Sequence, residues 1–160
     1  MNKMKTQMTI SRALKEKSRI IEKLDDLRKK IEIYNAVDIG RKRPLNVSDM
    51  ISQCSVLEDN LLRIKAAIAA ANVPIERELA ELLLVRSLIS FYNGLNTEET
   101  REETRYLKND ERETVTINRD VIITQVDVLK KVEELRQRLD AAQDIVDEFN
   151  ATHRIEVELV

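Results

Sequence analysis

Seven positions, Met50, Cys54, Leu57, Leu61, Ile64, Ile68 and Ala71, are spaced 4, 3, 4, 3, 4 and 3 residues apart, and they constrain this chain more than any other feature. That alternation keeps one apolar side chain per turn on the same side of a helix, so it describes a heptad seam and not a strand. Val128, Val132, Leu135, Leu139, Ala142, Val146 and Phe149 repeat the same spacing near the other end of the sequence. Each seam needs an apolar partner. Composition agrees: the 160 residues are 35% charged and only 3% aromatic, with two glycines and two prolines, a bias typical of long helices and coiled coils.

Two more helical segments complete the set. Leu14, Ile21, Leu24, Leu27 and Ile31 follow helical spacing over about 10–35, with Thr9 placed as a cap, and Leu79, Leu82, Val85, Ile89 and Tyr92 do so from about 75 onward. The seam helices cover about 47–72, capped by Asn46 or Ser48, and about 120–152. Asn72-Val73-Pro74 ends the second helix, because the residue before a proline is pushed out of the helical region. A turn that short makes helices two and three antiparallel neighbours. The expected fold is mainly α: one domain over 1–160, an elongated antiparallel four-helix bundle or coiled coil. Its helices of about 25 residues would each be roughly 40 Å long.

Two short stretches break the helical pattern. ETVTI (113–117) and RIEVEL (154–159) alternate their side chains and are rich in Val, Ile and Thr, so both read as strands flanking the last helix. Residues 36–39 are a weaker third candidate. A last helix of about 30 residues would hold its flanking strands roughly 45 Å apart. Ile155, Val157 and Leu159 are therefore expected to seek a neighbour in another subunit, in a homo-oligomer.

Between helices three and four lies EETREETR, residues 98–105. Read as a helical extension to about residue 105 and beyond, it sets Arg101, Arg105, Lys108 and Arg112 on one face, with Glu98 and Glu102 three residues before Arg101 and Arg105. Each such pair is worth roughly 0.2 to 0.5 kcal/mol, enough to support a solvated, projecting helix. The alternative is a basic ridge for phosphates or for an acidic partner. Seven acidic against four basic residues between Glu98 and Glu113 weaken that field. A second basic cluster, Arg41, Lys42 and Arg43, falls at the tip of the first helical hairpin. In the bundle layout it lies near Arg119 and the helical N–H groups that open helix four, another candidate anion site.

A net charge of -2 argues against bulk attraction to nucleic acid or anionic membrane. No run reaches the roughly 18 apolar residues of a membrane span, and the basic opening MNKMKTQMTI lacks the apolar region of a secretion signal. Cys54 is the single cysteine, which fits a reducing, cytoplasmic compartment. His153 is the single histidine and sits at a helix end, where positive charge is favoured. No glycine-built phosphate loop and no Glu-x-x-His pair is present, so no catalytic residues, metal or cofactor are expected.

TISRALKEKSRIIEKLDDLRKKI, RYLKNDERETVTINRDV and VEELRQRLDAAQDIVDEFNATHRIEVEL together resemble the septicolysin-like family of small, uncharacterised bacterial and phage-associated helical proteins. The resemblance implies a helical fold. One member's name suggests membrane lysis, but no apolar surface helix or insertable hairpin is legible here, and a pore-forming role is not expected. Three functions stay open: a non-enzymatic, self-associating scaffold or adaptor with protein partners; a module that binds a phosphate-bearing small molecule or nucleic-acid backbone through its basic clusters; and a metal-dependent hydrolase using helical carboxylates. The first is the leading expectation.

Overall fold

Thr9 and Asn46 fix where the first two helices begin. The computed structural model describes residues 4–106 and 112–160. Helix α1 (Ile10–Tyr34) opens with the Thr9 hydroxyl accepting the Arg12 N–H at 3.3 Å. Helix α2 (Val47–Ala71) opens with the Asn46 side-chain oxygen accepting from Ser48 and Asp49 N–H at 3.1 and 3.4 Å. Asn46, and not Ser48, is the cap. A single 3-10 turn (Val73–Ile75) carrying Pro74 separates α2 from helix α3 (Glu76–Asn93). Helix α4 spans Gln125–Thr152.

Four strands accompany the helices: β1 (Met4–Thr9), β2 (Thr100–Tyr106), β3 (Arg112–Asn118) and β4 (Arg154–Leu159). They form two separate antiparallel pairs, β1 with β4 and β2 with β3. The protein is thus mainly helical with two small sheets, and it divides into two compact units. The first comprises residues up to Glu76 together with Ile145–Val160; the second is Arg77–Asp144.

In the first unit, α1 and α2 pack as an antiparallel hairpin in which Arg28 reaches Glu58 at 2.8 Å. The β1–β4 sheet lies against it, and the core joins all four elements: Met8, Ile10, Ala13, Ile20 and Leu24 meet Cys54, Ile64, Ile68, Ile155 and Val157. Ile10 and Ile64 are wholly buried. Because the core forms where helices meet sheet, the buried stripe of α1 runs through Ile10, Ala13, Ile20 and Leu24. Ile21, expected inside, is 37% exposed, while Leu14, Leu27 and Ile31 are only partly covered.

Strand β1 corrects the expectation that β4 pairs with another subunit. Lys5 and Gln7 are exposed while Thr6 is half-buried and Met8 buried, so these four residues alternate as a strand should. The strand supplies the partner that β4 was expected to find in another subunit, pairing Thr6 with Val157 and Met8 with Ile155. Ile155 and Val157 are core residues of their own chain, and Leu159 packs partly against them. Hydrogen bonding seals the joint, with Ile10 N–H donating to the His153 carbonyl at 3.1 Å. Asn60, buried within α2, holds the last residue by two bonds: its amide donates to the Val160 carbonyl at 3.0 Å and its oxygen accepts the Val160 N–H at 2.9 Å.

In the second unit α3 and α4 run antiparallel: Thr97, just past α3, bonds Gln125 at the start of α4, and Glu81 near the start of α3 accepts from Arg138 further along α4. Leu82 and Val85 are buried here, as are Val128, Val132, Leu135 and Ala142 of the α4 seam.

Helix α3 ends at Asn93 instead of running to about 105. Gly94 N–H donates to both the Ser90 and Phe91 carbonyls at 3.1 Å, closing the last turn, and Asn96 then turns the chain by accepting the Glu98 N–H at 3.1 Å. The EETREETR repeat consequently enters strand β2, in register with β3 from Thr100–Asn118 to Tyr106–Arg112. Surface ion pairs worth a few tenths of a kcal/mol each cannot outweigh a ladder to the β-branched Thr-Val-Thr-Ile run of β3. Residues 36–39 form no strand; they lead into a turn with Gly40 at φ 90°, where glycine is favoured.

Helix α4 begins at Gln125, later than the expected 120, because Thr124 and Asp127 form a reciprocal capping box. The Asp127 carboxylate accepts from the Thr124 N–H and hydroxyl at 3.1 and 2.7 Å, and the Thr124 hydroxyl accepts the Asp127 N–H at 3.2 Å. These hydrogen bonds from Thr124 hold the Asp127 carboxyl below its ordinary value. A depressed folded-state pKa gives stability that is present above the unfolded carboxylate range and is lost as pH falls through the folded value. We expect acid-induced fraying at the start of α4, seen as faster amide exchange around Gln125–Leu129. Asp127→Asn should show that fraying at neutral pH and lose its acid dependence.

Candidate functional site

The two basic groups that sequence reading singled out are both engaged in local structure. Arg43 donates to the Tyr34 and Asn35 carbonyls at 2.8 and 3.0 Å, satisfying the open C-terminal end of α1. Arg41 pairs with Asp38 at 3.4 Å, and Lys42 is exposed in the same loop. Asp38, Arg41 and Lys42 line a shallow hollow of about 330 Å³ together with Ile33, Tyr34 and Val37. Arg119 belongs to the other unit. There it secures the base of the β2–β3 hairpin: its N–H donates to the Glu99 carbonyl at 2.7 Å, and its guanidinium reaches Asn96 at 3.3 Å and Glu98 at 3.7 Å.

The expected ridge of Arg101, Arg105, Lys108 and Arg112 does not exist as a helical face. Residues two apart share a strand face, so Arg101, Glu103 and Arg105 lie together, with Glu103 bridging both arginines at 2.8 and 3.7 Å. Arg112 is paired with Tyr106 across the ladder, on the opposite face, with its guanidinium 5.4 Å from the ring centre. Lys108 lies outside the described residues. A single carboxylate thus lies between two guanidiniums and offsets part of their charge.

His153 and Cys54 also have structural placements. The imidazole stacks on Phe149 with ring centres 4.6 Å apart, and the residue's carbonyl ties α4 to the start of α1. Cys54 is a free thiol, 7% exposed, in the α1–α2 core. Among the described residues no three His, Cys, Asp or Glu side chains converge on a metal position, and no helix is long and apolar enough to cross a membrane.

Two stretches of the surface carry exposed apolar side chains. Between α1 and α2 an open groove of about 730 Å³ is lined by Leu27, Val56 and Leu57 with Lys23, Asp26, Ser52 and Gln53. In the second unit α3 is apolar on nearly every side. Leu82 and Val85 are buried, yet Leu83, Leu84 and Phe91 are 70%, 56% and 59% exposed, and Ile122, Val126 and Leu129 stand out at or before the start of α4. The run Leu82-Leu83-Leu84-Val85 was the sequence signal for this, since four successive apolar residues cannot all face one partner. The chain matches no family model, no curated protein and no solved structure.

Proposed function

We propose that this chain is a non-enzymatic, self-associating helical scaffold or adaptor that works in the cytoplasm. The supporting observation is the apolar surface of α3: Leu83, Leu84 and Phe91 are all more than half exposed on a helix whose opposite side is already packed. A helix that is apolar all round belongs in an interior, and contiguous exposed apolar surface marks a contact with another chain. The engagement of Arg41, Arg43, Arg101, Arg105, Arg112 and Arg119 within the fold disfavours the phosphate-binding alternative. The septicolysin-like resemblance is a proposal about fold and adds no activity to this reading. Light scattering over a range of concentrations tests it. A mass that is a multiple of the chain's is expected, falling towards that of one chain in Leu84→Asp; a single-chain mass at every concentration would refute the reading.

A further inference from the structure

The β2–β3 hairpin is a two-stranded sheet, a size that is marginal in water unless further strands or a helix complete it. Its residues are exposed apart from half-buried Glu103, Val115 and Ile117. The phase of its hydrogen bonds can be read at the base. Arg119 N–H donates to the Glu99 carbonyl, one step outside the Thr100–Asn118 pair, so 99 and 119 form a bonded pair. Bonded and non-bonded pairs alternate along an antiparallel ladder. Residues 113, 115 and 117 therefore turn their backbone groups towards β2, while Arg112, Thr114, Thr116 and Asn118 turn theirs outward, to an edge that no strand covers among the described residues.

That edge differs from the opposite one. β2 carries four charges in seven residues, Arg101, Glu102, Glu103 and Arg105, the usual guard against edge pairing. β3 is charged only at Arg112 and Glu113, and then runs Thr-Val-Thr-Ile-Asn without a charge or a proline. Placed antiparallel to a copy of itself and centred on Val115, β3 matches its own pattern. Thr114 falls opposite Thr116, Arg112 opposite Asn118, Glu113 opposite Ile117, and Val115 opposite Val115. Every outward backbone group then faces another outward group, no like charges meet, and Thr–Thr and Val–Val neighbours are favourable cross-strand pairs. The equivalent register of β2, centred on Glu103, sets Glu103 against Glu103 and Arg101 against Arg105.

We infer that the outer edge of β3 pairs with the β3 of a second copy of this chain, giving a four-stranded antiparallel sheet in the order β2-β3-β3-β2 about a two-fold axis at Val115. This rests on the self-association reading and names one surface that carries it. Such an isologous contact closes on itself at two copies.

Three variants in the full chain test the inference. Thr116→Pro removes an outward N–H of β3 without touching the hairpin's own ladder. Thr104→Pro does the same on the outer edge of β2 and serves as the matched control. Thr116→Pro should weaken association by roughly tenfold or more, measured by sedimentation equilibrium, while Thr104→Pro leaves it unchanged. Val115→Cys reports independently. Facing residues of a non-bonded pair have Cα atoms about 4.5 Å apart, within disulfide range, so mild oxidation should give a covalent dimer that the wild type, with Cys54 buried, does not form. If both proline variants dissociate, the cysteine result decides. Self-association that survives Thr116→Pro, with no Val115→Cys dimer, overturns the edge pairing and leaves self-association standing; a monomeric wild type overturns both.

Discussion

Ile64→Ala is expected to lower stability by roughly 2 to 5 kcal/mol, in the range for deleting a large buried aliphatic side chain where surroundings relax incompletely. Ile64 is wholly buried in the core shared by α1, α2, β1 and β4, so helices on one side and strands on the other hold the walls of any cavity in place. The same truncation at Leu62, two residues earlier and 68% exposed, should stay within about 0.5 kcal/mol. Urea denaturation of both variants checks this, with an unchanged slope showing that stability alone has moved. Equal midpoints would mean that the buried face of α2 lies elsewhere.

Removing residues 154–160 should have a still larger effect, and on folding instead of assembly alone. The deletion takes away buried Ile155 and Val157, each worth roughly 1.5 to 3 kcal/mol of burial, and leaves β1 without a ladder. It also strands the side chain of Asn60, whose unpaired polar atoms would cost roughly 1 to 3 kcal/mol more. Together these approach the roughly 5 to 15 kcal/mol that holds a typical domain folded. We expect the truncated chain to lose cooperative thermal unfolding and the amide protection of α1 and α2. Asn60→Ala alone should keep the cooperative transition at a lower midpoint. A truncated protein that melts as the full chain does would show that the β1–β4 sheet is dispensable.

Both results bear on how much was legible in advance. The α2 and α4 seams were readable because a heptad repeat is local: Cys54, Ile64 and Ile68, like Val128, Val132 and Leu135, are buried where their spacing put them. Caps were readable for the same reason, since Thr9 and Asn46 act on N–H groups two or three residues away. The strand character of 113–117 and 154–159 was also visible, from alternation and β-branched content. Of the candidate sites, position along the chain was legible and availability was not. Arg43 became a cap for α1, and Arg101 and Arg105 share one carboxylate, because a side chain's partners depend on which backbone atoms fold beside it.

The sequence by itself determined four helices, two strand-forming stretches and the absence of a charge excess that would draw in nucleic acid. Tertiary structure decided what the strands pair with and what the charged repeat becomes. β1 and β4 are almost the whole chain apart in sequence, and only the antiparallel α1–α2 hairpin and the end of α4 bring Met8 beside Ile155. EETREETR has ion-pair spacing suited to a helix, yet its local preference is worth a few tenths of a kcal/mol per pair. Gly94 closes α3 before the repeat begins, and Thr100 to Tyr106 then fall in register with β3. Weak local preferences of this size lose to a ladder whose pairing lies beyond the reach of any short window of sequence.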